Sequence, residues 1–399
     1  MQKNRHMILA ISIITMLIFI TFSAGCMESS STTINAQSST GETITVTDAL
    51  GRTVEVPRSP DHVICSGSGA LRYLTYLESQ DKIVAVDSIE AQQSKYDARP
   101  YALANPQFKD YPVFGEFRGN DDPEKILMLD PQPQVIFKMY SASAYDPAEL
   151  QRKTGIPVIA LNYGDMVNNK ADMYQSLRIM GEVMGKENRA EELISFFEVT
   201  IADLNERTAD VPEEDKITCY VGGIARSGPH GFQSTEPTYP PFHFINAKNV
   251  AYDPKNLSTA EVAKESILGW DPQVIFVDLS TTQSEDKSSA LYQLQNDNSY
   301  RQLSAVKSGE VYGVLPYNWY TQNQGSVLVD AYFAGKLLYP DRFEDVVLED
   351  KATEIYTFLV GRGDEEVGRN VYDNMLNADR KSTRLNSSHS QQSRMPSSA

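Results

Sequence analysis

The sequence predicts an α/β protein of two Rossmann-like lobes joined by one long α-helix, with a ligand cleft between the lobes. Three observations lead there: an internal near-repeat, short apolar strands alternating with helical stretches, and a long proline-free run separating the two copies of the repeat.

The repeat comes first. Glu124-Lys125-Ile126-Leu127-Met128-Leu129-Asp130-Pro131 leads into Gln134-Val135-Ile136-Phe137, and Glu265-Ser266-Ile267-Leu268-Gly269-Trp270-Asp271-Pro272 leads into Gln273-Val274-Ile275-Phe276. Each copy reads as a short helix opened by an acid, stopped at Asp-Pro and followed by a buried strand. Further strands are expected at 62–65, 83–86 and 158–161 around the first copy, and at 217–221 and 311–314 around the second. Short apolar strands of this kind, with helices between them, belong to parallel sheets covered on both faces.

Between the copies, Met173, Leu177, Met180, Met184, Leu193, Phe197, Ile201 and Leu204 recur at spacings of three and four, the period of a helix face. Unbroken, this run would extend on the order of 50 Å at 1.5 Å per residue. A break is expected near Gly185.

The ends read differently. Lys3, Arg5 and His6 precede an apolar run over 7–22, too short for a membrane span, and then Ser23-Ala24-Gly25-Cys26. This is the layout of an export signal whose cysteine is acylated; a simple uncleaved anchor is the other reading. Residues 26–42, rich in Ser and Thr, form a tether with too little apolar area to fold. Residues 379–399 resemble a translated sequencing adapter, so a disordered, non-native tail and a truncated native lobe are expected there. The expected plan is signal 1–25, lipidated tether 26–42, first lobe 43–168, inter-lobe helix 169–210, second lobe 211–378 and tail 379–399.

A formal charge of −17 repels nucleic acid and excludes it as a partner. Besides Cys26 there are Cys65 and Cys219, each within an apolar strand and expected as buried free thiols. Outside the signal and tail only His62, His230 and His243 remain, too scattered for a site that grips a bare metal ion.

Two α/β lobes, a connecting helix and a lipidation motif together resemble the class III periplasmic-binding-protein family over about residues 43–377. The opening motif stands as Thr47-Asp48-Ala49-Leu50-Gly51-Arg52-Thr53-Val54-Glu55-Val56-Pro57, and a later one as Leu315-Pro316-Tyr317-Asn318-Trp319-Tyr320. The resemblance implies an extracytoplasmic solute-binding lipoprotein of an ABC importer, anchored to the membrane through Cys26. Its cargo would be a metal chelate: an iron siderophore, haem or a corrinoid such as cobalamin. Its partners would be an ABC permease and its ATPase subunits, and it would act as a monomer without a cofactor. It also implies that Glu124 and Glu265, one per lobe, dock on the permease; a plain helix-start acid is the alternative for each.

For the ligand, a bulky chelate calls for aromatic walls and a few polar anchors. Ser66 and Ser68 lie in a Gly-containing turn between a strand and a helix, which an ordinary tight turn also explains. Phe117 and Arg118 precede the first repeat, where a guanidinium fork suits a carboxylate or catecholate. Tyr140, with Tyr145, follows a strand on the same side. The irregular segment 225–244 offers Arg226, His230, Phe232, Tyr239 and Phe242. Tyr317, Trp319 and Tyr320 follow the strand at 311–314 and are the strongest wall residues. An enzyme on a similar scaffold, chelatase-like, is the competing class, but Gly-x-Ser-x-Gly and the phosphate-binding Gly-x-x-x-x-Gly-Lys are both missing. An adhesion module would show β-rich repeats, and none occurs.

Overall fold

The computed structural model describes residues 42–92, 97–139, 144–225, 228, 230–283 and 287–380. The expected signal, Cys26, nearly all of the tether, and 381–399 lie outside them, as do Tyr140 and Arg226.

A hairpin opens the described chain: β1 (Thr43–Thr47) pairs antiparallel with β2 (Thr53–Pro57). The turn between them is held by Asp48, which accepts from Arg52 and from the backbone N–H groups of Leu50, Arg52 and Ala160. There follow β3 (Val63–Ser66), α1 (Ala70–Tyr76), β4 (Ile83–Asp87), α2 (Pro100–Leu103), β5 (Val113–Glu116), β6 (Asn120–Asp121), α3 (Pro123–Leu127), β7 (Val135–Met139), α4 (Pro147–Thr154) and β8 (Val158–Leu161). These make a six-stranded sheet of order β6-β5-β4-β3-β7-β8, parallel except for β6. The chain goes one way from β3 to β4 and β5, then returns to the other side of β3 for β7 and β8. That reversal opens a crevice at the carboxyl ends of β3 and β7.

Next come α5 (Lys170–Met184) and α6 (Glu187–Glu206). The helical stretch expected over 169–210 is divided where Gly185 adopts a left-handed φ of 64°. The two helices fold back on each other, with Arg178 paired to Glu191 and Lys170 to Glu198. Only α6 runs between the sheets, a rod of about 30 Å: Arg189 near its start donates to the Tyr76 carbonyl at the end of α1, and Asn205 near its end meets Asn246 of the second lobe.

The second lobe holds β9 (Thr218–Gly222), β10 (Ser234–Thr235), α7 (Pro240–Phe244), β11 (Lys248–Asn249), β12 (Ala260–Glu261), α8 (Lys264–Trp270), β13 (Val274–Asp278), α9 (Ala290–Asn296), α10 (Ser304–Ser308), β14 (Val311–Val314) and α11 (Gln324–Leu338). Its parallel sheet has the order β11-β9-β13-β14, so the reversal recurs between β9 and β13. The near-repeat thus marks equivalent places: α3–β7 and α8–β13 each follow the reversal, and Ile126 and Ile267 anchor the two short helices in the outer cores.

Successive strand residues face opposite sides. Cys65, Phe137, Val221 and Phe276 face one continuous core shared with α1, α5, α6 and α11, while Ile64, Ile136, Tyr220 and Ile275 face separate outer cores. The last helices, α12 (Leu348–Val360) and α13 (Glu365–Arg380), pack on each other; α12 lies mainly against α11 of the second lobe and also meets α1 and α2 of the first, and α13 meets α2. The segment expected as the second lobe, 211–378, thus ends in helices that touch both lobes. An apolar stripe of Val371, Tyr372, Met375 and Leu376 carries α13 there, and such a stripe does not name its partner.

Candidate functional site

The carboxyl ends of the strands in both sheets converge on one loop, 317–323, which leaves β14 and starts α11. From the second lobe, the Asn318 side chain donates to the Ala225 carbonyl (3.1 Å) beyond β9, and Ala225 N–H donates to Asp278 at the end of β13. From the first lobe, four elements meet the same loop. Arg72 of α1 reaches the Tyr320 carbonyl (2.8 Å), Thr321 Oγ1 (2.9 Å) and Asn323 Oδ1 (3.1 Å). Asp87 at the end of β4 accepts from the Tyr320 hydroxyl (2.5 Å), and that hydroxyl accepts from Arg118 N–H (2.9 Å) in the β5–β6 turn. Beyond β8, the Tyr163 hydroxyl accepts from Gln322 N–H, and Met166 N–H donates to the Gln322 side chain.

The open faces of this junction are aromatic. Trp319 and Tyr320 are half-buried; Tyr163 and Phe117 are 41% and 38% exposed. The Arg118 guanidinium carbon lies 5.1 Å from the Phe117 ring centroid, a cation–π arrangement on the same wall. Ser68 is partly exposed in the turn before α1, where the neighbouring Gly69 lies close to Thr321, and His230 is partly buried between β9 and β10. The structure therefore brings together Ser68, Phe117, Arg118, Trp319 and Tyr320.

Other expected wall residues do not face the cleft. Ser66 is fully buried and donates to Asp121 (2.5 Å), which pairs with the equally buried Lys138. Lys138 also donates to Ser66 Oγ and to the Gly119 carbonyl (2.9 Å). Burial pushes its ammonium below the usual range while Asp121 opposes the shift. Phe232 is fully buried against Tyr220 and Tyr300 at ring distances of 5.2 and 4.9 Å. Tyr239 and Phe242 pack edge to face in the central core. Irregular backbone in 225–244 suggested cleft exposure, but the small sheet needs these rings to cover both of its faces. Tyr145 packs on the outer core of the first lobe.

Tyr317 is also buried. Its hydroxyl donates to Glu236, and its ring lies 5.7 Å from that of Tyr239. Its direct contribution is therefore to hold Glu236. Burial, with a further push from Asp165 of the first lobe, raises the Glu236 carboxyl to about 8. Asp87 is raised to about 7 by burial and by Glu90 beside it; Glu90 in turn accepts from Arg99 and Tyr101 (2.6 Å each). Acidic groups thus border the junction from both lobes.

Sequence reasoning missed Arg72, Asp87, Lys138, Asp165 and Glu236. A signal existed for two of them: Asp87 ends an apolar strand and Lys138 interrupts another near its carboxyl end, where parallel sheets place their sites.

Glu124 and Glu265 are exposed in the first turns of α3 and α8, at matching places in the two lobes. Leu127 and Met128, 44% and 82% exposed, add apolar surface beside Glu124.

Residues 63–317 match the profile of a family described as periplasmic binding protein, so the chain belongs to that family and is a binding protein rather than an enzyme. It is similar to the molybdate-binding protein MolA of Haemophilus influenzae, 24% identical over 333 residues, covering 78% of this chain and 89% of that protein. It is also similar to an uncharacterized ABC transporter substrate-binding lipoprotein, YvrC, of Bacillus subtilis, 20% identical, covering 76% of this chain and 87% of the relative. Among solved structures, molybdate-bound MolA superposes with a TM-score of 0.59 at 23% identity (80% and 98% coverage). A periplasmic solute binding protein from Veillonella parvula gives 0.61 at 20% identity (84% and 100%). At these identities the structural likeness speaks for the fold.

Proposed function

We propose that this chain is the extracytoplasmic solute-binding lipoprotein of an ABC importer, held at the membrane through Cys26, and that it captures a bulky metal chelate between its lobes. The observation behind the ligand class is the set of half-buried and exposed aromatic residues at the junction, Trp319 and Tyr320 from one lobe and Phe117 and Tyr163 from the other. Flat or folded organic ligands gain from such surfaces, whereas a small dianion does not. A ferric siderophore, haem or a corrinoid meets these demands, with Arg118 pairing a ligand carboxylate or catecholate oxygen and Ser68 and His230 as polar contacts. Molybdate is the second reading, favoured by the relative at 24% identity.

In delivery, Glu124 and Glu265 pair with basic groups of the permease, and two carboxylates on separate lobes report the distance between lobes to a fixed partner.

The test is a fluorescence titration of the purified chain with ferric tris-catecholate, haem, cobalamin and molybdate. Saturable binding of a chelate, weakened at least tenfold (about 1.4 kcal/mol) by Trp319→Ala with Tyr320→Ala, is expected. Tight molybdate binding with no response to any chelate overturns the reading.

A further inference from the structure

Arg72 lies on α1, in the first lobe, and is 1% exposed. A buried guanidinium must satisfy its donors within the protein. Here they cross to the other lobe: Nε to Asn323 Oδ1, Nη1 to Thr321 Oγ1, and Nη2 to the Tyr320 carbonyl and, at 3.4 Å, the Trp319 carbonyl. Its neighbours on its own side are the Tyr101 ring, 5.1 Å away, and Glu90, close enough for the two charges to attract.

The segment so gripped has an unusual backbone. Tyr320 and Thr321 both have left-handed φ, 49° and 71°, in a stretch without glycine. A bulky or β-branched residue holds that conformation only where its surroundings impose it. Asn323 helps from within the loop, donating to the Tyr317, Trp319 and Thr321 carbonyls, and Arg72 in turn fixes Asn323. The fit is close: a β-carbon added to Gly69, which caps α1, would lie 3.1 Å from Thr321 Oγ1 and 3.3 Å from Arg72 Nη1.

We infer that Arg72 is the positioning residue of the ligand wall: from the first lobe it holds residues 319–323 of the second in the left-handed turn that presents Trp319 and Tyr320 to the cleft. Arg72 itself does not reach the ligand. The wall, although covalently part of the second lobe, is fixed to the first and moves with it. The inference rests on the reading of Trp319 and Tyr320 as ligand contacts, but the turn itself can be probed without a ligand.

Trp270 and Trp319 are the two tryptophans of the chain, so a Trp270→Phe background leaves Trp319 as the reporter. Acrylamide quenching of the full-length protein is compared for this background alone and with Arg72→Met, Arg72→Lys or Thr321→Val, each well below its own melting temperature. Arg72→Met is expected to raise the quenching rate constant at least twofold, with Arg72→Lys intermediate because an ammonium keeps the charge and loses the fork. Thr321→Val, which removes one partner and leaves the core intact, gives a smaller rise in the same direction and serves if Arg72→Met does not fold. Unchanged quenching and emission in the folded variants overturns the inference. Raised quenching with undiminished affinity for ferric tris-catecholate supports the positioning role and instead removes the wall from the ligand site.

Discussion

The hydroxyl of Tyr320 donates to Asp87 Oδ2 at 2.5 Å, joining a loop of the second lobe to the end of a strand in the first across 233 residues of sequence. The same oxygen accepts from Arg118 N–H, so one phenol closes two contacts between lobes. Tyr320→Phe keeps the ring and leaves the buried Asp87 short of a partner, while the exposed Arg118 amide turns to water. A buried group stranded in this way costs about 1–3 kcal/mol. Urea denaturation monitored by circular dichroism is expected to show a loss of that size, and a loss under 0.5 kcal/mol (about the spread of ordinary surface changes) would mean that water replaces the hydroxyl freely.

Glu236 predicts a pH dependence. Its carboxyl, ordinarily near 4.5, is raised to about 8, so between these values the folded chain holds a proton that the unfolded chain has lost. The stability tied to that proton is fully present below about 4.5 and declines as pH rises through 8, with a ceiling of about 1.4 kcal/mol per pH unit for one group. Asp87, raised to about 7, and Asp278, raised to about 6, act in the same direction at lower pH. Glu236→Gln stays neutral throughout and still accepts from Tyr317. Thermal melts between pH 7 and 9 should therefore fall less steeply for Glu236→Gln than for the parent; parallel slopes would place the Glu236 titration elsewhere.

What the residues disclosed and what they hid have separate causes. Periodicity found the strands, the repeat and the break at Gly185, because alternation and helical spacing are local consequences of burial. The aromatic loop at 317–320 was legible from its place after a strand. Phe232 was misplaced because a loop of glycines and prolines gives no period from which to read a face. Arg72 and Tyr320 lie 248 residues apart, and no local pattern announces a partner at that distance. Lys138 follows directly on the apolar run Val135-Ile136-Phe137, and nothing local reveals that it is the buried half of an ion pair with Asp121.

Phe232 and Phe117 make a matched comparison. Phe232 is fully buried between Tyr220 and Tyr300, and its replacement by Ala should cost about 3–5 kcal/mol of stability through lost transfer energy and the cavity left behind. Phe117, 38% exposed, should cost within about 0.5 kcal/mol. Chelate affinity should respond in the opposite order, Phe117→Ala weakening binding at temperatures where Phe232→Ala is still folded. Calorimetry of unfolding with a titration on the same samples checks both halves.

Asp121 and Lys138 test whether a buried charge pair shapes the wall. Both side chains are fully buried, and Lys138 also donates to the Gly119 carbonyl, one residue after Arg118. Removing one partner alone strands the other charge, so Asp121→Asn and Lys138→Met should each cost about 3–5 kcal/mol. Replacing both together by apolar side chains, Asp121→Leu with Lys138→Met, removes the stranded charge, and that double variant should recover much of that loss, since apolar substitution of a whole pair is often neutral. Recovered stability need not restore the turn: with Lys138 absent nothing from β7 holds the Gly119 carbonyl, and Phe117 and Arg118 lose their support from below. A double variant of near-parent stability that binds ferric tris-catecholate more weakly is the expected result. If the double variant matches the parent in both respects, the pair contributes nothing to the geometry of the cleft.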